Sequence, residues 1–283
     1  MLSFRTKKRI QTIIYHTLVC GLGFIMIYPL LWMVMSSFKD SGEIFANAHT
    51  LLPETFKLDN YVNGWKGFGG ISFSVFFKNS FVISVTATLG ATVSSAIIAF
   101  GFARCRFPFK KLWFSLMMVT LMLPFQVLMI PQFVLFNKFG WVGSFLPLIV
   151  PYFFGQAFFI FLIMQFIQGI PKDLDEAARI DGCSIYGTFI RIILPLVVPA
   201  LVTSAIMSFI WRWDDFLASL LYLNNPSRYP VTLALKMFSD PSSQSDWGAL
   251  FAMATLSLVP VFVIFFIFQK YLVEGISTSG LKG

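Results

Sequence analysis

Six long apolar runs constrain this chain more than any other feature, at about residues 13–36, 80–102, 112–136, 142–169, 196–222 and 247–271. An α-helix rises about 1.5 Å per residue and a bilayer's hydrocarbon core is about 30 Å thick, so about 20 apolar residues are needed to cross it. Each run is long enough. Backbone polar groups in lipid must be paired within the protein, and helices do this most simply. The sequence therefore predicts an all-α integral membrane protein with six transmembrane helices, one membrane domain over residues 1–283. Composition leads to the same place. Only 12% of residues are charged, whereas a soluble domain carries about 25%. That supply cannot coat a water-exposed surface.

The first run follows a basic cluster of Arg5, Lys7, Lys8 and Arg9, as in a signal peptide. A signal's apolar region is about 7–15 residues long and ends in a small-residue cleavage site. The run here is longer and lacks that site, so a retained first helix is expected. Pro124 and Pro131 fall in the third run, and Pro147 and Pro151 in the fourth. Each removes a backbone donor. The freed carbonyls need neighbouring helices or a water-lined cavity.

Orientation follows from Lys and Arg. With the N-terminus inside, the inner segments carry Arg5, Lys7, Lys8, Arg9, Arg104, Arg106, Lys110, Lys111, Lys172, Arg179, Arg191, Lys270 and Lys282. The longer outer segments carry fewer, namely Lys39, Lys57, Lys66, Lys78, Lys138, Arg228 and Lys236. Both termini are therefore expected on the cytoplasmic side. Two outer loops, about 37–79 and 223–246, read as turn-rich. The second includes Pro241-Ser242-Ser243.

The segment Ile170–Pro195 stands apart from the apolar runs. Pro171 suits a first helical position. Asp173, Asp175 and Glu176 then lie where the helix dipole favours anions, and Gly182 suits a left-handed stop. A short helix of about ten residues follows, with Leu174, Ala177 and Ala178 on one face by their spacing. A second helical run is expected from about Ile185 to Leu194, ending near Pro195. Such a helix could lie on the membrane surface without a partner. Its acidic face argues instead for docking to a protein, because interfacial helices are rich in Lys and Arg.

The pattern Glu176-Ala177-Ala178, then Gly182, then Ile192-x-Leu194-Pro195 resembles the EAA motif of binding-protein-dependent ABC importer permeases. Asn60-Tyr61, Asn79-Ser80, Phe102-Ala103-Arg104, Ile170-Pro171, Ile180-Asp181-Gly182, Trp213-Asp214-Asp215-Phe216-Leu217 and Val273-Glu274-Gly275 extend the resemblance to the maltose-type carbohydrate branch. The closer likeness is to the shorter partner of its permease pairs. The resemblance implies a multi-pass protein of a prokaryotic cell membrane that forms half of a translocation pore. Its implied partners are a second homologous permease, two ATPase subunits that use ATP and Mg, an extracytoplasmic binding protein and a sugar. Glu176, Ala177, Ala178, Asp181, Gly182, Leu194 and Pro195 would couple the chain to the ATPase. The tail Ser277-Thr278-Ser279-Gly280 could touch it as well. No cofactor is expected on this chain itself, and an oligosaccharide is the leading substrate class, with a polyol or glycerol-phosphate as alternatives.

Charges inside spans default to function. Here they are Arg212, Asp214 and Asp215, near the middle of the fifth run. Arg212 and Asp215 can pair at i, i+3 spacing, which leaves Asp214 to point elsewhere. Related sugar permeases often carry Asn there. Trp211 and Trp213 could stack on a sugar or simply pack. Gln126 and Gln156 suit interhelical hydrogen bonds.

Other functions fit less well. A secondary transporter would show internal repeats and carboxylates on several spans. A membrane enzyme needs convergent catalytic groups, and this chain has 2 His and 3 Cys without metal-ligand spacing. Without a Walker A loop the chain cannot be its own ATPase. Its +8 net charge lies in short topology-setting clusters, not in a surface for nucleic acid.

Overall fold

The computed structural model describes residues 4–238 and 246–280. Among these, regular structure is helical apart from an isolated bridge between Phe68 and Ile71. The helices are α1 (Phe4–Ser36), α2 (Ser41–Ala46), α3 (Asp59–Lys66), α4 (Phe73–Arg104), α5 (Lys110–Met122) and α6 (Phe125–Lys138). After them come α7 (Leu146–Ile149), α8 (Ala157–Gly169), α9 (Asp173–Ile180), α10 (Ile185–Thr188) and α11 (Leu194–Leu196). The remainder are α12 (Val198–Trp213), α13 (Leu217–Tyr222), α14 (Val231–Phe238) and α15 (Trp247–Gly280). Four stretches are long and apolar enough to cross a membrane, or six if each of two bent helix pairs counts as one span. Pro241-Ser242-Ser243 lies outside the described residues.

Each apolar run was expected as one helix, broken locally at the prolines of the third and fourth, and the breaks go further than that. The third bends by 103° between α5 and α6. The break is at Leu123 and Pro124, where Leu123 is extended at φ −81° and ψ 115°. A proline disfavours the helical conformation of the residue before it. Pro131 sits inside α6 without ending it. In the fourth run, a 3₁₀ turn over Val150–Phe154 and a left-handed Gly155 at φ +86° precede α8. The fifth run is divided at Asp214–Phe216 between α12 and α13. The loops at about 37–79 and 223–246 also hold more structure than expected. They contain α2, α3, α14 and the first turns of α4. Asp40 marks the start of α2, where its carboxylate accepts from Gly42 N at 3.0 Å. Lys57 donates to that carboxylate and holds it below the usual carboxylate range.

The chain divides into two compact units. One contains Met1–Phe73 and Leu235–Leu258. In it, the amide of Asn60 donates to Ser37 O and Lys39 O at 2.9 and 2.8 Å, closing the C-terminal end of α1. Ser41 donates to Asp246 at 2.8 Å, and Asp246 accepts from Ala249 N at the start of α15. Lys39 is fully buried, with Nζ 2.5 Å from Thr50 O.

The other unit contains Ser74–Ala234 and Val259–Gly283, and α4 runs through it unbroken. Ser80, Ser84, Ala87, Ala91, Ser95 and Ala99 on α4 are all buried. Their three- and four-residue spacing lines one helix face, where small side chains let neighbours approach closely. Polar members of α4 also pair the backbone that irregular segments leave open. Asn79 donates to Ser227 O and Tyr229 O at 2.9 and 3.0 Å, and Ser80 Oγ accepts from Val231 N at 2.8 Å. Ser94 and Ser95 hydroxyls accept from Gly155 N and Gln156 N, each at 3.0 Å. The core beside these contacts gathers Ala96, Ala99, Phe100, Ile160, Ile163, Ile167, Ile193 and Val197.

Replacing Ser95 by Ala would leave the part-buried Gln156 N–H without its partner, a cost of about 1 kcal/mol. The Ser95→Ala protein should unfold at lower temperature in detergent than wild type. Thr120→Ala should shift the transition little, since that hydroxyl lies on an exposed turn.

Candidate functional site

Two sites lie within the second unit. The first is the segment between α8 and α12. Asp173, Asp175 and Glu176 occupy the first turn of α9, whose N-cap is Lys172. The helix is therefore eight residues long and begins two residues after Pro171. At its end Asp181 N donates to Ala177 O at 3.0 Å and Cys183 N to Ala178 O at 2.8 Å. The second of these bonds closes over Gly182, which has φ +75°, in the manner of a left-handed helix stop. A Cβ at Gly182 would meet nothing within 4 Å, so the constraint there is torsional. Two residues later Ser184 Oγ accepts from Gly187 N at 3.2 Å and opens α10.

The second helical run ends at Leu196, one residue past Pro195. A π-helical turn over Phe189–Ile193 joins α10 to α11, and the helix continues to Leu196. Proline lacks an N–H and clashes with the carbonyl four residues earlier. A wider turn just ahead of it relieves that clash. The bend to α12, 75°, falls after Leu196. Leu194 is half-buried and Pro195 exposed.

Of the predicted face of Leu174, Ala177 and Ala178, only Ala178 is buried; Leu174 and Ala177 are exposed, as is Glu176. Ile180 is 87% exposed and Tyr186 77%. Ile185 and Ile190 are exposed as well. This apolar surface belongs to an otherwise polar loop. Arg104, the last residue of α4, lies beneath it. Its Nη2 donates to Ile170 O at 2.7 Å and its Nε is 2.7 Å from Asp175 Oδ2. Sequence reasoning noted Arg104 only as an inner-side charge and as part of a resemblance, and Asp175 only as a helix-start acid. The pairing of residues so far apart in sequence gave no local signal. The tail Ser277-Thr278-Ser279-Gly280, like the side chains of Val273 and Glu274, lies outside the described side chains.

The second site is a pair of adjoining clefts of about 540 and 520 Å³. Tyr152, Trp211 and Arg212 line both. Gln126, Asp214 and Asp215 line the first, and Thr120, Gln156 and Phe158 the second. Arg212, Asp214 and Asp215 were expected near the middle of a span. They sit instead at a helix end, with Asp214 as the C-cap of α12. Arg212 Nη1 is 2.7 Å from Asp215 Oδ2 and also donates to Tyr152 Oη. The guanidinium lies over the Tyr152 ring, 4.5 Å from its centroid. Asp215 accepts from Ala218 N at 3.1 Å, so the same carboxylate starts α13. Asp214 is exposed to the cleft.

The two tryptophans part company. Trp211 is 44% exposed and stacks on Phe159 at 5.4 Å. Trp213 is buried against Phe81 and Phe209 and lines neither cleft. Gln156 has its backbone N–H held by Ser95 and faces a cleft. Tyr152 is a site residue that sequence reasoning missed, because the prolines and aromatic residues around it concealed its polar end.

A family model for the inner membrane component of binding-protein-dependent transport systems matches residues 91–278, which include both sites. The chain belongs to this family. It is accordingly a multi-pass inner-membrane transport protein rather than an enzyme. Three relatives illustrate its range. A probable ABC transporter permease of Bacillus subtilis, YurM, is 36% identical over 90% of this chain and 84% of its own length. The arabinooligosaccharides transport permease AraQ of Halalkalibacterium halodurans is 31% identical over 98% of this chain and 100% of its own. The diacetylchitobiose uptake permease NgcG of Streptomyces coelicolor is 30% identical over 95% and 88%. The fold is also similar to a chain in the crystal structure of a bacterial ABC transporter involved in the import of the acidic polysaccharide alginate. That likeness has a TM-score of 0.78 at 20% identity and covers 96% of this chain and 99% of the other.

The Arg212–Asp215 pair is mostly buried, and removing one partner strands the other charge. Asp215→Ala should lower stability by about 3 kcal/mol. The Arg212→Ala, Asp215→Ala double variant should lose less than the two single losses combined. Thermal unfolding of the purified variants in detergent measures both.

Proposed function

We propose that this permease forms half of the translocation pathway of an ATP-driven importer for an oligosaccharide. Six spans, with each bent pair counted as one crossing, would place both termini in the cytoplasm. A second, homologous permease completes the pore, and an extracytoplasmic binding protein delivers the sugar. Two separate ATPase subunits, using ATP and Mg, dock on the segment 170–195.

One observation carries the coupling reading. The Glu176-Ala177-Ala178…Gly182 pattern falls on a short helix and a left-handed turn that present Leu174, Ile180, Ile185 and Tyr186 outward. A loop with its own charges has no need of that apolar surface unless a partner covers it. Glu176, Ala177, Asp181 and Gly182 are exposed on it, while Ala178 anchors the helix from below. Leu194 and Pro195 belong to the helix that leads back toward α12. Closure of the ATPase dimer would draw the loops of the two permeases together and turn the pathway outward. Hydrolysis would then reset it.

The clefts support a sugar as cargo. Trp211 offers an exposed aromatic face, and Arg212, Asp214, Asp215 and Gln126 offer hydrogen-bonding groups around it. Trp213, on the same helix, packs into the core against Phe81 and Phe209. The oligosaccharide class rests on relatives such as AraQ and NgcG.

Gly182→Val should reduce ATP-dependent uptake at least tenfold, equivalent to about 1.4 kcal/mol, with membrane insertion intact. Glu176→Lys should do the same. Normal uptake by the Gly182→Val protein would overturn the docking reading. Purification of the wild-type chain from detergent should recover an ATPase subunit and a second permease, and a lone functional chain would overturn the whole assignment.

A further inference from the structure

We propose that Arg104 is a positioning residue that pins the coupling loop to α4 and carries the loop's displacement to the wall of the clefts. The proposal rests on the reading of segment 170–195 as the ATPase-docking element. Arg104 is the last residue of α4, and its side chain is only 7% exposed. It makes two contacts across the chain. Nη2 donates to the carbonyl of Ile170, the C-cap of α8. Nε lies 2.7 Å from the carboxylate of Asp175, in the first turn of α9, whose side chain is 17% exposed.

One guanidinium thus grips both ends of the linker Ile170-Pro171-Lys172. A planar fork with several donors can do this, while an ammonium offers a single point of charge. The pair also suits the helices that carry it. A cation at the C-terminus of α4 and an anion at the N-terminus of α9 each meet the favourable end of a helix dipole.

α4 is unbroken from this pin to the clefts. Ser94 and Ser95 hold the N–H groups of Gly155 and Gln156, and both of those residues line the second cleft. Nine or ten residues of helix separate Arg104 from these serines, a rise of about 15 Å. A shift of α9 imposed from outside is therefore delivered to α4 at Arg104, and from α4 to the cleft wall. Glu176 and Tyr186, by contrast, are exposed and free to meet the partner.

The test uses the complete complex with its ATPase and second permease. In this chain Cys20, Cys105 and Cys183 are replaced by Ser and Gln156 by Cys. The probe is the rate at which a membrane-impermeant maleimide modifies that thiol, with and without a non-hydrolysable ATP analogue. The parent should show a nucleotide-dependent change in rate of about fivefold or more. Arg104→Lys and Asp175→Asn should keep the ATPase co-purifying and lose most of that change. Exchanging the charges, Arg104→Asp with Asp175→Arg, should restore part of it. An undiminished nucleotide response in both single variants overturns the proposal. So does a parent complex that assembles without any response, or the loss of assembly in both single variants. Failure of the parent to co-purify with any ATPase overturns the docking reading itself and is read independently of Arg104.

Discussion

A helix break inside a bilayer leaves N–H and C=O groups that water cannot reach, and each must find a partner within the protein. In this chain α4 supplies many of those partners. It contains no proline, and its buried face carries small residues with a hydroxyl or amide at intervals. Asn79 and Ser80 serve the backbone from Ser227 to Val231, and Ser94 and Ser95 serve the break at Gly155. Arg104 serves the end of α8. The irregular segments that shape the clefts are tolerated because one regular helix stands beside them. Stability and function therefore draw on the same side chains.

The clefts follow the same logic. The break after Trp213 exposes backbone, and Asp215 resolves it by accepting from Ala218 N while neutralising Arg212. Tyr152 adds its hydroxyl and its ring to that cation. A charged group at membrane depth is costly unless paired, and here the pairing and the helix break share one carboxylate. Asp214 takes no part in this arrangement and remains open to the cleft.

The sequence showed much of this in outline and little of it in geometry. The apolar runs were legible because length and composition alone decide whether a helix can cross lipid. The turn at Gly182 was legible because one residue type fits that backbone. The breaks were less so. Pro124 divided its run while Pro131 did not, since the outcome depends on what neighbouring helices offer. The early start of α4 at Phe73 was hidden by the Gly-rich stretch before it and by Lys78. Trp211 and Trp213 are chemically alike, and only the rotation of α12 separates a cleft residue from a core residue. The contact of Arg104 with Asp175 reaches across α5, α6, α7 and α8 in sequence and has no periodic signature.

Gly182 carries a last consequence. Its surroundings are empty, yet its backbone is left-handed. The turn therefore selects on chirality and is indifferent to volume. At a crowded position a series of residues from Ala to Val produces graded effects, because size is graded. At this one, even the smallest chiral residue meets a backbone penalty, least for Asn and greatest for β-branched residues. In the space of natural sequences the position sorts residues by backbone tolerance, and drift away from glycine runs most easily through Asn.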